Sequence, residues 1–193
     1  MSARTTALCA LIATRRQGAW SDGILKEYVQ RDRLERRDAA LAATLTYGVM
    51  QNRMLLDHYL EQVVSGGLSR LQPAMLDILR LGAYQILLLD KIPDSAAVNE
   101  AVEQTKRYVN QKAAGMTNGA LRALSRKKGS LNEPRDLATT YSHPQALVDL
   151  LTDSVGRGQI ESFLRADNEP APTCLQINPL LSDPDEIERA LTK

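Results

Sequence analysis

Leu76–Val109, LDILRLGAYQILLLDKIPDSAAVNEAVEQTKRYV, is the stretch that decides the fold. Leu76, Leu79, Ala83, Ile86 and Leu87 recur at helical spacing. Ile86–Leu89 is apolar all round, which places the segment in the middle of a helical core. Pro93 stops this helix, and Asp94 or Ser95 can cap the next. Ala97, Val98, Ala101, Val102, Thr105 and Val109 then form a second stripe. The stretch predicts a helix, a sharp corner and a second helix, the central hairpin of an all-α domain.

Upstream of it, Ser2 caps a helix with Ala7, Leu8, Leu11 and Ile12 on its buried face, and Gly18 ends that helix. Trp20–Gly23 reads as a turn before a short helix that carries Ile24, Leu25, Tyr28 and Val29. The basic run Arg31–Asp38 leads into a long helix with Leu41, Leu45 and Val49 on one face. Gly48 interrupts that pattern at a cost of about 1 kcal/mol relative to alanine, so another helix is expected to cross closely there. Asn52–Val64 continues as a helix, Ser65-Gly66-Gly67 breaks it, and Pro73 opens the central helix. Downstream, Ala113–Arg126 is helical, which gives about seven helices in residues 1–128.

Residues 130–140 read as a linker. Ser142 or His143 caps a helix opened by Pro144, and Ile160–Asn168 makes one more. Pro172–Asn178 alternates apolar and polar residues in the strand manner, and Asp183–Glu186 opens a short acidic helix. The expected organisation is a helical domain over 1–128, a linker and helical extension over 129–168, and over 169–193 the strand–helix start of a second, small α+β unit.

Composition narrows the function. With 193 residues, 44% hydrophobic and 24% charged, the chain has the make-up of a soluble globular protein. Its longest apolar run is far short of the ~20 residues of a membrane span. No basic start with an apolar core marks a secretory signal. Two cysteines are too few for a disulfide framework, so a cytoplasmic protein is expected. The net charge of +1 hides an asymmetry. Residues 1–128 hold 19 Lys+Arg against 12 Asp+Glu, whereas residues 129–193 hold 5 against 11. A basic first part suits a polyanion such as RNA.

No catalytic constellation is legible. His58 and His143 have no metal-ligand spacing to Cys9 or Cys174. There is no phosphate-binding glycine loop and no nucleophile elbow. The concentrated chemical signal is arginine, whose planar fork suits phosphate. Aromatic content of 4% argues against a base-stacking sheet. The candidate RNA contacts are Arg4, Arg15, Arg16, Arg33, Arg36 and Arg37, with Arg53, Arg122 and Arg126 as weaker ones. Arg4 has a competing structural explanation, the pairing of an arginine at the start of an amphipathic helix with an internal carboxylate. Cations in a last helical turn also complement the macrodipole, which offers a structural explanation for Arg126-Lys127-Lys128.

Several motifs resemble a known family. They are Ala3-Arg4-x-x-Ala7-Leu8, Asp38-x-x-Leu41-x-x-x-Leu45-x-Tyr47-Gly48-Val49, Arg80-Leu81-Gly82-Ala83-Tyr84-Gln85, Ile92-Pro93-x-x-Ala96-Ala97-Val98-Asn99-Glu100-Ala101-Val102 and Asn118-Gly119-Ala120-Leu121-Arg122. Together they resemble the NusB-like N-terminal region of the RsmB (Sun/Fmu) ribosomal RNA cytosine-C5 methyltransferases. Tyr141-Ser142-His143-Pro144 and Leu175-Gln176-Ile177-Asn178 resemble methyltransferase segments beyond the end of NusB itself. Met116-Thr117 and Gln145-Ala146 depart from the pattern, the first by reducing apolar bulk before Asn118.

The resemblance implies an all-α NusB-like bundle that binds ribosomal RNA. It also implies a partner within the parent protein, a C-terminal methyltransferase domain that uses S-adenosylmethionine and is missing from this sequence. Neither Cys9 nor Cys174 matches the family's two catalytic cysteines, so no catalytic residue, cofactor site or metal site is assigned here. A NusB-like protein-interaction or transcription antitermination module is the alternative, and a protein partner or a homodimer is left open.

Overall fold

The computed structural model describes residues 1–18, 21–171, 174–178, 180–181 and 183–191. Seven helices build the main body: α1 (Ala3–Gln17), α2 (Ser21–Arg31), α3 (Arg36–Gln51), α4 (Arg53–Glu61), α5 (Pro73–Leu88), α6 (Asp94–Tyr108) and α7 (Ala114–Lys127). The central helix is α5, which packs on α1, α3, α4, α6 and α7. It buries Met75, Ile78, Leu79, Leu81, Ala83 and Ile86 in one core with Leu8, Leu45, Leu56, Leu60, Val98, Leu121 and Leu124. The all-α bundle expected with Leu76–Val109 as its central hairpin is therefore what the chain forms.

Local chemistry sets the helix ends. The Ser2 hydroxyl accepts from the Thr5 amide at the start of α1, and Gly18 closes that helix with a left-handed φ of 59°. Pro73 occupies the first turn of α5, where its missing amide hydrogen is not needed. Gly48 of α3 faces the Tyr84 ring of α5 so closely that a Cβ there would overlap it. This is the close crossing expected from an interior glycine.

Three more helices follow: α8 (Leu137–Tyr141), which packs on α4, and α9 (Gln145–Val155) and α10 (Ile160–Asp167), which pack on α8 and on each other. Ala138, Val148, Ile160 and Leu164 form their own small core, with Met54 of α4 against it. The N-terminus of α4 has no side-chain cap from Asn52. Instead the Ser142 hydroxyl, 88 positions away, accepts from the Met54 amide at 2.8 Å. A last helix, α11 (Pro184–Leu191), follows.

Several expectations are corrected. Ser21–Gly23 form the first turn of α2 rather than a loop, and Trp20 lies outside the described residues. Asp94 does not cap α6; Pro93 holds the cap position, and the Asp94 carboxylate accepts from Ser125 Oγ at 2.6 Å. Residues 130–140 contain α8 and are not a plain linker. Pro144, not Ser142 or His143, is the cap residue of α9. His143 is buried, its Nδ1 on the Tyr141 carbonyl at 2.7 Å and its Nε2 on Asp167 at 2.9 Å. Cys174–Asn178 form no strand, because no second strand exists among the described residues to complete a ladder. Pro172 and Thr173 lie outside those residues.

Candidate nucleic-acid interface

The structure separates the nine arginines by what each already holds. Arg4 is half-buried, and its internal partner is an amide rather than the expected carboxylate: its Nε donates to Gln85 Oε1 at 2.6 Å. Gln85 is 2% exposed and donates in turn to the Leu81 carbonyl at 2.8 Å, so Arg4 satisfies a buried amide. Arg15 donates to Asp77 Oδ2 at 2.9 Å. Asp77 is 5% exposed. Arg80 stands 3.7 Å from its other oxygen and makes a two-bond fork to Asp57 at 2.7 and 2.6 Å. Burial still pushes the Asp77 carboxyl above the ordinary carboxylate range, against the pull of Arg15 and Arg80. Both Arg4 and Arg15 thus act first inside the fold.

Arg16, Arg33, Arg36 and Arg37 differ. All four are exposed, and none has an ion pair among the described residues. Arg33 sits in the α2–α3 turn with a left-handed φ of 51°. Arg36 and Arg37 open α3, whose cap residue Glu35 makes no side-chain hydrogen bond. Cations at a helix start oppose the macrodipole by about 0.3–1 kcal/mol each, so helix stability does not explain them. They form a free arginine rim along α1, α2 and α3, three helices that pack on one another.

The remaining three lie elsewhere. Arg53 lines a cavity of about 320 Å³ with Leu11, Arg15, Val49, Met50 and Asp77. Arg122 donates to Asn118 Oδ1 at 2.9 Å, one turn back on α7. With Arg126 it borders a groove of about 360 Å³ between α6 and α7. In the described residues α7 packs mainly on α5 and α6, not on the helices of the rim.

One further member of the rim, and its setting, are not legible in the sequence. Arg31, at the end of α2, lies over the Tyr28 ring at 4.0 Å. Its Nε and Nη2 donate to the two oxygens of Asp32 at 2.8 and 3.0 Å. Asp32 also accepts from Thr6 Oγ1 at 2.7 Å. The hydrogen bond to Asp32 raises the Arg31 pKa further, and the same bond holds the Asp32 carboxyl below its ordinary value. Arg31, Arg16, Tyr28 and Tyr108 line a groove of about 280 Å³ floored by Cys9, Ile12 and Ala13 of α1. Burial pushes the Tyr108 hydroxyl up to about 12, and Cys9 Sγ donates to it at 3.5 Å. All that the sequence holds of it is the three-residue spacing of Tyr28 and Arg31, which puts them on one helical face.

The fold is that of an all-helical bundle, and the comparisons place it among NusB-like proteins. The NusB family model matches residues 1–126. The chain is 34% identical to the transcription antitermination protein NusB of Ruminiclostridium cellulolyticum over 131 residues, 67% of this chain and 89% of that protein. This chain belongs to the NusB family. It is also 34% identical, over 191 residues, to the probable ribosomal RNA small subunit methyltransferase B of Bacillus subtilis. That match covers 96% of this chain and 42% of the relative, so the chain spans less than half the length of such methyltransferases. Among solved structures, the NusB–NusE complex with dsRNA shares the fold, with a TM-score of 0.59, 24% identity, and coverage of 64% of this chain and 93% of that one. Among the described residues no helix is long and apolar enough to cross a membrane.

Proposed function

We propose that this chain is the RNA-holding part of a 16S ribosomal RNA (cytosine-C5) methyltransferase. The bundle grips ribosomal RNA and orients it for a catalytic domain within the length that the methyltransferases have beyond their match to this chain. The observation that carries this reading is the extent of the Bacillus subtilis match. It covers 96% of the chain, well past residue 126, where the NusB family match stops. The rim supports it with Arg16, Arg33, Arg36 and Arg37 as phosphate contacts. Arg53, Arg122 and Arg126 are further contacts from neighbouring grooves, and Arg4 and Arg15 hold α1 against α5. Residues 1–128 are the gripping unit and 129–168 its extension, in a cytoplasmic protein.

S-adenosylmethionine belongs to this reading only through the longer relatives. The described residues contain no strand, and so no glycine-rich strand–turn–helix that would hold its adenosine. They do not fit the cofactor, and no methyl-transfer step is assigned to them.

The test is the salt dependence of affinity for a 16S ribosomal RNA stem–loop. These seven phosphate contacts give a slope of log affinity on log salt of roughly −5 to −6, at about 0.7–0.9 per contact. Changing Arg33, Arg36 and Arg37 together to Ala is expected to make that slope shallower by about 2. A flat dependence in the unmodified chain refutes the RNA reading. The relationship to NusB proteins, one of them solved with NusE, favours a protein-docking module as the second reading. A stable protein complex together with that flat dependence is the result that supports it.

A further inference from the structure

Arg31 is poorly suited to the role of its neighbours on the rim. A phosphate contact works through net positive charge. Arg31 has its charge answered by Asp32 through two hydrogen bonds, and Asp32 is itself fixed by Thr6. What the pair leaves available is shape. The guanidinium is flat, its side chain is 45% exposed, and three restraints hold its orientation: Tyr28 beneath it and the two bonds to Asp32. It borders the groove that also contains the unpaired Arg16 and the Tyr108 ring, over which Arg107 lies at 5.3 Å.

We infer that the Arg31 guanidinium, stacked on Tyr28, is a platform for one unpaired base of a bound RNA, with Arg16 on the adjoining phosphate. This rests on the RNA reading above and sharpens it: the surface takes an unstacked nucleotide as well as a backbone. Unpaired RNA bases stack on aromatic rings and on arginine planes alike. A platform already oriented by Asp32 and Tyr28 loses little side-chain freedom when a base arrives. The low aromatic content of the chain is no obstacle, because the stacking surface here is an arginine backed by a single tyrosine.

The probe is a single-stranded RNA decamer of uridines with one central 2-aminopurine, compared with the same decamer carrying an abasic site there. The unmodified chain is expected to quench the 2-aminopurine fluorescence and to bind this decamer about tenfold more tightly than the abasic one. Arg31→Lys keeps the charge and removes the plane. It is expected to abolish both the quench and the tenfold preference while leaving the salt slope unchanged. Tyr28→Ala keeps the Arg31–Asp32 pair but removes its backing, and is expected to weaken both signals. Circular dichroism of each variant verifies that the helices persist.

Equal affinity for the two decamers, with a steep salt slope, overturns the platform and leaves the RNA reading standing. So does an unchanged quench in Arg31→Lys. Absence of salt-dependent RNA binding in the unmodified chain overturns both. Binding of a protein at this groove in place of either decamer also overturns the platform.

Discussion

Gly82→Ala tests how the central helix is held against α7. Gly82 lies mid-way along α5, where alanine is favoured over glycine by about 1 kcal/mol in helix propensity. An added Cβ would meet Leu121 Cδ1 at 2.6 Å, Cδ2 at 3.1 Å and Cγ at 3.4 Å. Carbon atoms pack best at about 3.5–4.0 Å, so the nearest methyl must move by roughly 1 Å. Leu121 is fully buried, and the surrounding core leaves little room for that movement. Overpacking of this kind costs about 1–3 kcal/mol, and two crowded methyl groups place it toward the upper end. After the propensity gain, the variant is expected to be less stable by about 1–2 kcal/mol. That is a fall in Tm of about 3–6 °C for a chain of this size. Leu121→Ala alone should cost about 2–5 kcal/mol through its cavity. The double variant should cost clearly less than the sum, because the new methyl enters space that Leu121 vacates. Urea unfolding of all four proteins measures the cycle. A stabilised Gly82→Ala protein, or additive single effects, refutes the close-contact account.

Two other expectations concern charge. Arg80→Met strips Asp57 of its fork and Asp77 of one of two cations, and should destabilise by about 2–3 kcal/mol, below the full 3–5 for a buried pair because Asp57 is partly exposed and Asp77 keeps Arg15; urea unfolding is the measurement, and Asp57→Leu added to it should restore much of the loss. Asp32 has its folded pKa lowered, so its contribution is present above the unfolded carboxylate value and is lost as pH falls through the folded one; Asp32→Asn should therefore flatten the acid limb of a stability-versus-pH profile, and an unchanged limb would count against the Arg31–Asp32–Thr6 network.

The sequence and the structure agree best where one residue type has one physical use. Helical spacing in Leu76–Val109 marked the core, and an interior glycine at Gly48 announced the tight approach of Tyr84. Charged side chains were harder. Nothing in Arg15-Arg16 says that the first reaches a buried carboxylate 62 positions away while the second stays free, because helix phase against α5 decides it. Asp94 had the chemistry of a cap, yet Ser125 from α7 competes for its carboxylate. Tyr28 read as one more apolar position, and only the α2–α3 turn, which brings Asp32 back onto Arg31, turns it into the base of a stack. Alternation at Cys174–Asn178 is a local pattern, whereas a strand requires a partner that the pattern cannot supply.

The hydroxyl of Ser142 on the Met54 amide has a mechanical consequence. In chain order the extension follows α7, yet its firmest attachments are to α4. Ser142 seals the first turn of α4, Gln51 beside that turn donates to Asn168 at 2.8 Å, and the Asn132 carbonyl accepts from both His58 and Gln62. A tilt of α4 within the bundle would therefore carry α8–α10 with it as one lever. The bearing of whatever follows Asn168 is set by a helix more than a hundred residues earlier, not by the one it grew from.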